Sequence, residues 1–407
     1  MPAARLLQDW MTAPETEAVM KALTSDGAEA RFIGGCVRDA VLERPIKDID
    51  IATSAIPEVV LDLLGRAEIK AVPTGLRHGT VTAIFGKKTY EITTLRRDLK
   101  TDGRHAVVGF TDDWHEDAMR RDFTMNTLSL TADGTLYDTA SGYDDAMAGR
   151  IRFVGDAETR IKEDVLRLLR FYRFYAYYGA APADEEARSA CQKLAPLLPG
   201  LSGERISQEL LNLLAAPNPI ETLTLMHEDG IFHHCLEEAE NFERLEALLN
   251  IEISLLAKND DNSPDAGLRL AALVTSEPDK VLGLAQRLKF PNALRDRLLA
   301  FSETPVPDED LPRALYRFGT GSVRDRLLLA WAERGLPDDA STTLDRIHNW
   351  TQPEFPLSGK DGLAAGLKAG PDLGRHLEQI EEWWVERDFA PDRNQCLEKL
   401  QAIISSI

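Results

Sequence analysis

The chain has 407 residues, 43% of them hydrophobic, which suits more than one cored domain, and it has no apolar run of about 18 residues that would read as a membrane span. Its 67 acids against 47 bases give a formal net charge of −20, which argues against broad, nonspecific nucleic-acid binding while leaving room for local basic surfaces. Cys36, Cys191, Cys235 and Cys396 lack the paired spacing of a zinc knuckle or a disulfide framework. The opening MPAARLLQDWMTAPE carries Asp9 and Glu15 and does not read as a signal peptide, so a cytoplasmic protein is expected.

In chain order, residues 14–23 have helical spacing, with Pro14 suited to a first turn. Residues 31–53, RFIGGCVRDAVLERPIKDIDIAT, then read as a strand (31–33), a turn at Gly34 and Gly35, a short helix (36–42) and a second strand carrying Asp48, Ile49 and Asp50. Alternation sets Asp48 and Asp50 on one face and sends Ile49 and Ile51 into the core. A helix over 57–64 follows, then strands at 69–72, 80–85 and 89–95, the last two joined as a hairpin through Gly86, Lys87 and Lys88. Residues 96–110, RRDLKTDGRHAVVGF, lose periodicity and gather charge, and are expected to form a long mobile loop. After a helix at 113–119 and the segment RRDFTMN (120–126), nearly everything beyond Gly155 has helical period, beginning with one helix over 157–178. AAPNP at 215–219 and KNDDNSPD at 258–265 read as linkers. The fold class is α+β: a head with a small mixed sheet, followed by an elongated all-helical remainder.

Paired acids on a strand, or a glycine pair alone, are weak signals, but here they coincide. Gly34 and Gly35 let the backbone approach a phosphate, the following helix aims N–H groups at an anion, and Arg38 lies one turn in. Ten residues later Asp48 and Asp50 can hold Mg²⁺ against the same phosphates, as in-line displacement at a nucleoside triphosphate requires. Glu91 is either a third carboxylate for that site or a solvent-facing strand acid. On the helix over 157–178, Glu163, Asp164, Arg167, Arg170 and Arg173 share one face. That face is either solvated and laced by ion pairs, or a set in which Asp164 accepts from and Arg167 donates to the edge of a nucleotide base. Arg121 is either an ordinary basic helix end or a phosphate contact.

The ordered set GGCVRD, KDIDIAT, GLRHGTVT, YEITTLRRD, TDGRHA, RRDFTMN, DxxxGxxD at 138–145, EDVLRLLRFYRF and LSGERISQEL resembles the bacterial class II CCA-adding tRNA nucleotidyltransferase and poly(A) polymerase family over residues 28–212. The resemblance implies a polymerase-β-like nucleotidyltransferase head (1–142), a neck that recognises the base (143–216), an RNA-binding body (217–300) and a tRNA-binding tail (301–407). It implies that Asp48 and Asp50 bind the catalytic Mg²⁺, that Gly35, Arg38 and Arg121 hold the nucleotide, and that Glu163, Asp164 and Arg167 pair with cytosine or adenine, assisted by Arg170 and Arg173. Residues 96–110 match the family's flexible loop, which assists the switch from C to A. Two features favour CCA addition from CTP and ATP over poly(A) synthesis or an inactive RNA-binding role. PTGLRHGTVTAIF stands where bacterial poly(A) polymerases carry an arginine-rich segment, and the acid pair is intact. No HD dipeptide follows the neck, since Cys235 succeeds His233 and His234. The implied partner is the 3′ end of tRNA; neither DNA nor membrane is expected, and both monomer and homodimer stay open.

Overall fold

Alternating apolar and polar side chains build the first third of the chain into one mixed sheet. The computed structural model describes residues 2–101, 106–256, 264–301 and 310–405. Its strands are β1 (Pro2–Arg5), β2 (Ala30–Ile33), β3 (Ile49–Thr53), β4 (Lys70–Gly75), β5 (Thr80–Phe85), β6 (Lys88–Thr94), β7 (Arg96–Thr101), β8 (Ala106–Phe110), β9 (Ser129–Leu130) and β10 (Thr135–Tyr137). Eight of them form a sheet in the order β1-β10-β9-β2-β3-β6-β5-β4. The β3 and β6 strands run parallel while the other neighbours are antiparallel. Ile51 and Ile92 are wholly buried at paired positions of β3 and β6, under helices α1 (Pro14–Thr24) and α3 (Pro57–Arg66). Truncating such a side chain to alanine typically costs about 2–5 kcal/mol, so the strand bearing Asp50 is held stiffly.

Residues 96–110 are not simply a loop. Their ends pair as an antiparallel ribbon, Arg96 opposite Phe110 and Arg97 opposite Gly109. The β-prone run AVVGF offers a strand that the charge count obscured; residues 102–105 lie outside the described residues. Next come α4 (Trp114–Met119), whose Asp113 caps the His115 N–H at 2.7 Å, and α5 (Gly142–Met147). The DxxxGxxD spacing has a structural purpose. Asp138 accepts from the Gly142 and Tyr143 N–H groups, buried Asp145 accepts from Thr124, Arg150 and Arg152, and a Cβ on Gly142 would lie 2.1 Å from the Thr124 carbonyl oxygen.

The expected helix over 157–178 is two helices, α6 (Ala157–Glu163) and α7 (Leu166–Tyr178). Asp164 between them is extended (φ −151°, ψ 105°), and its carboxylate accepts from the Leu166 N–H at 3.2 Å, competing with the helical backbone. Then come α8 (Glu185–Leu194) and α9 (Gly203–Leu214), followed by helices Ile220–Glu228 and Phe232–Cys235, the last holding His233 and His234 in its final turn. Phe123, Phe153, Phe171 and Phe174 pack against one another with ring centroids 4.8–6.0 Å apart and bind the RRDFTMN segment to α7.

The described residues fall into two compact units, Met1–Ala239 with Pro264–Ala266 and Gln286–Phe290, and Glu240–Ser263 with Gly267–Ala285 and Pro291–Ile407. Helices make up the second, among them Leu311–Arg334, which breaks at Gly319 (φ 77°), and Pro371–Val385, packed on Arg393–Ser405 around Ile380, Trp384, Cys396 and Leu400. Most of the expected 258–265 linker lies outside the described residues. No described helix is long and apolar enough to cross a membrane.

Candidate active site

The glycine turn comes first, because it decides what can approach β3. Gly34 has φ +66° and ψ −130°, a conformation strained for any side chain, and starts α2 (Gly35–Val41). A Cβ on Gly34 would stand 3.6 Å from Asp50 Oδ2 and 3.8 Å from Arg121 Nη1, so the turn passes directly over the acid and the arginine. Gly34→Ala is expected to lower the melting temperature by a few degrees, reflecting roughly 1–3 kcal/mol of backbone strain, and to cut nucleotide incorporation at least tenfold. Unchanged melting would show that the turn does not need its glycine.

Asp48, expected within the strand, is exposed in the irregular segment just before β3, and Asp50 is half-buried, directly opposite Glu91 in the parallel β3/β6 pair. Parallel neighbours in register present their side chains on one face. Burial first, then the negative charges of Glu91 and Asp48, push the Asp50 carboxyl up to about 6, with Arg121 and Arg38 opposing. Among the described residues no three His, Cys, Asp or Glu side chains are arranged to hold a metal by themselves. The hard oxygen donors suit an ion that completes its shell with phosphate and water.

Beside the turn opens a cleft of about 520 Å³, walled by Gly34, Gly35, six arginines (Arg38, Arg120, Arg121, Arg167, Arg170, Arg205) and the carboxylates of Asp122 and Asp164. Positive charge thus exceeds negative here by four, in a chain whose total is −20. Low-dielectric walls focus such a field on an anion.

The arginines are fixed by their own partners. Buried Arg38 donates to Asp39, to Asn126 Oδ1 at 2.9 Å and to the Tyr178 hydroxyl at 2.6 Å, with its guanidinium 4.1 Å from the Tyr178 ring centroid. Arg120 and Arg121 share buried Asp117, at 2.6 and 2.8 Å. Burial acts to raise the Asp117 carboxyl, but the two guanidiniums outweigh it and hold it below the usual range. Asn126 Nδ2 donates to Asp122 Oδ1 at 2.9 Å, and Arg170 closes on Asp122 Oδ2 through Nε (2.9 Å) and Nη2 (2.5 Å). Burial again acts to raise Asp122, and Arg170 with Asn126 and the Phe123 N–H holds it at about 2.

The neck contributes the other wall. Arg167 donates through Nη1 to the Arg160 carbonyl (3.1 Å) and Glu163 (2.6 Å), and through Nη2 to the Arg120 carbonyl (3.0 Å). Asp164 accepts from Arg205. Glu163 thus orients Arg167, and Arg173 is paired with Glu209 at 2.6 Å, which also faces Arg170 at 3.8 Å. Gly35, Arg38, Arg121, Asp164, Arg167 and Arg170 therefore line one cleft, and Asp50 lies beside it under the Gly34 turn; Asp48, Glu163 and Arg173 are not among its lining residues, Glu163 and Arg173 being paired with Arg167 and Glu209. Sequence reasoning did not single out Asn126 or Arg205. Their place inside the quoted motifs RRDFTMN and LSGERISQEL was the available signal.

A sheet that presents strand-borne carboxylates next to a phosphate-sized, arginine-rich cleft, with helices completing the wall, is the head and neck of a polymerase-β-like nucleotidyltransferase. Residues 30–152 match the family model described as "Poly A polymerase head domain", and residues 183–243 match "Probable RNA and SrmB- binding site of polymerase A". The chain is 34% identical to the mitochondrial CCA tRNA nucleotidyltransferase 1 of Danio rerio, over 91% of this chain and 87% of that protein. It is 30% identical to the CCA-adding enzyme of Geobacillus kaustophilus, over 92% of this chain and 97% of that one. Its structure superposes on the crystal structure of the Bacillus stearothermophilus CCA-adding enzyme in complex with CTP with a TM-score of 0.81 and 27% identity, covering 98% and 99% of the two chains. The chain belongs to the CCA-adding tRNA nucleotidyltransferase and poly(A) polymerase family.

Proposed function

We propose that this protein restores the 3′ end of tRNA, adding C, C and A from CTP and ATP without a template. The observation that carries the reading is the single cleft in which phosphate-directed groups of the head face base-directed groups of the neck. Arg121, with Gly35 and Arg38, receives the triphosphate. The 3′-hydroxyl of the RNA attacks the α-phosphorus, a new P–O bond forms as the α–β bridging P–O bond breaks, and pyrophosphate leaves. In this reading Glu91, the strand partner of Asp50, takes the hydroxyl proton. Asp48 and Asp50 would hold Mg²⁺, which when bound supplies positive charge at the attacking and leaving oxygens. The crowding of Asp50 by two carboxylates fits a cation there.

Base choice follows from hydrogen-bond inventory. Both Nη1 protons and one Nη2 proton of Arg167 are engaged, which leaves Nε–H and the second Nη2–H as donors. Asp164 offers an acceptor. Cytosine and adenine each present an amino donor beside a ring-nitrogen acceptor, whereas uracil and guanine place a carbonyl oxygen where the carboxylate would lie. Arg170, Arg173 and Glu163 keep this wall in register. Residues 1–142 thus perform the chemistry, 143–216 choose the base, and 217–300 with 301–407 grip the tRNA. Four free, buried cysteines suit a cytoplasmic setting.

Incubation with tRNA lacking its last three nucleotides and labelled CTP, ATP or both, with and without magnesium, tests the proposal. Ordered C, C, A addition that requires magnesium is expected. A long A tail would assign poly(A) synthesis, and no incorporation would leave an RNA-binding role.

A further inference from the structure

We infer that Arg205, on α9, is the positioning residue that enforces rejection of UTP and GTP. The inference rests on the reading above that Asp164 and Arg167 meet the base edge.

Asp164 occupies the gap between α6 and α7, where its extended backbone lies outside both helical ladders. A carboxylate there needs external restraint, since the only hydrogen bond it accepts from its own segment is the one from the Leu166 N–H, at 3.2 Å. Arg205 supplies the restraint by placing Nη2 between the two oxygens, 2.9 Å from Oδ1 and 2.8 Å from Oδ2. A donor held that way fixes the plane of the carboxylate as well as its position. It also offsets the carboxylate's charge in a cleft that must admit a triphosphate, so Asp164 can act as an acceptor without repelling the substrate.

Arg205 is itself placed with little freedom. It lies in the first turn of α9, which begins at Gly203. A Cβ on Gly203 would lie 2.1 Å from the Arg287 carbonyl oxygen and 2.9 Å from the Leu288 Cα, so the helix start is pressed onto that backbone. Arg287 in turn donates to the Cys235 carbonyl at 3.0 Å and to Glu238 at 2.5 Å. Docked backbone therefore determines where Arg205 reaches, and Arg205 determines how Asp164 faces the cleft.

The consequence is selective. Loosening Asp164 lets it turn away from an incoming carbonyl oxygen, which relieves the repulsion that excludes uracil and guanine, while Arg167 still recognises part of the cytosine edge.

The test measures kcat/KM for CTP and UTP separately on tRNA lacking its last three nucleotides, for the unaltered protein and for Arg205→Met, Arg205→Lys and Asp164→Ala, with thermal melting of each. Arg205→Met is expected to narrow the CTP-to-UTP preference at least tenfold, chiefly through a better KM for UTP. Arg205→Lys, whose nitrogen can still lie between both oxygens, is expected to retain most of it. If Arg205→Met does not fold, Arg205→Gln is judged by the same criterion. A preference that survives loss of the guanidinium while Asp164→Ala destroys it would overturn the role of Arg205 and leave base reading intact. A preference that survives in Asp164→Ala as well would overturn the base-reading proposal itself.

Discussion

Asp50→Asn will abolish nucleotide incorporation and, at neutral pH without magnesium, make the folded protein more stable. Burial, Glu91 and Asp48 push the Asp50 carboxyl from 3.8 up to about 6, so the folded chain binds that proton more tightly than the unfolded chain does. The sign follows: the contribution of this one carboxyl to stability is greatest below about pH 4, where both states are protonated, falls as pH rises toward 6, and then stays level. At about 1.4 kcal/mol per pKa unit, the ionised carboxylate costs the fold on the order of 3 kcal/mol. Asparagine removes the charge and keeps the shape. Calorimetry at pH 7.5 should therefore show a melting temperature several degrees above that of the unaltered protein, with the gap closing below pH 4. Incorporation on truncated tRNA should fall by at least a thousandfold. Activity within tenfold would remove Asp50 from the chemistry, and unchanged melting would mean that no such penalty is stored at the site.

Arg167→Ala should impair the choice of base more than the grip on phosphate. A bidentate contact to a base is worth about 1–3 kcal/mol of discrimination, so the preference for CTP and ATP over UTP and GTP should shrink by roughly 10–100-fold. The phosphate-directed groups Arg121 and Gly35 belong to other elements, and inhibition by inorganic triphosphate should change less than threefold. Comparing the two by steady-state incorporation and competition separates the roles; equal losses in both would make Arg167 a phosphate ligand. Because Arg167 also ties α7 to the Arg160 and Arg120 carbonyls, a melting curve belongs with the measurement.

The head was largely legible because strand alternation and turn chemistry are local. Thr80–Phe85 and its hairpin partner, the Gly34 turn and the inward Ile49 and Ile51 all follow from side-chain period and backbone freedom. The short strands β9 and β10, of two and three residues, are too brief to carry a period and exist because a sheet is there to receive them. The break at Asp164 was hidden for a different reason. Glu163, Arg167 and Arg170 continue the helical spacing across it, no glycine or proline marks it, and it is the side chain's bond to the Leu166 N–H that favours leaving the helix. At the site, motif order placed most of the relevant residues, but the pairings of Asp164 with Arg205 and of Arg38 with Asn126 span 41 and 88 positions. Nothing local announces such partners.

Asn126 has a consequence for how this site can change over time. Its amide serves two masters, accepting from Arg38 and donating to Asp122, which in turn holds Arg170. Substitutions at Arg38, Asn126, Asp122 and Arg170 should therefore fail to add: once one link is cut, cutting the next costs less than it would alone. A lineage would find single replacements harmful and compensated pairs tolerable, so descendants of this chain should exchange these four residues as a set or keep them all.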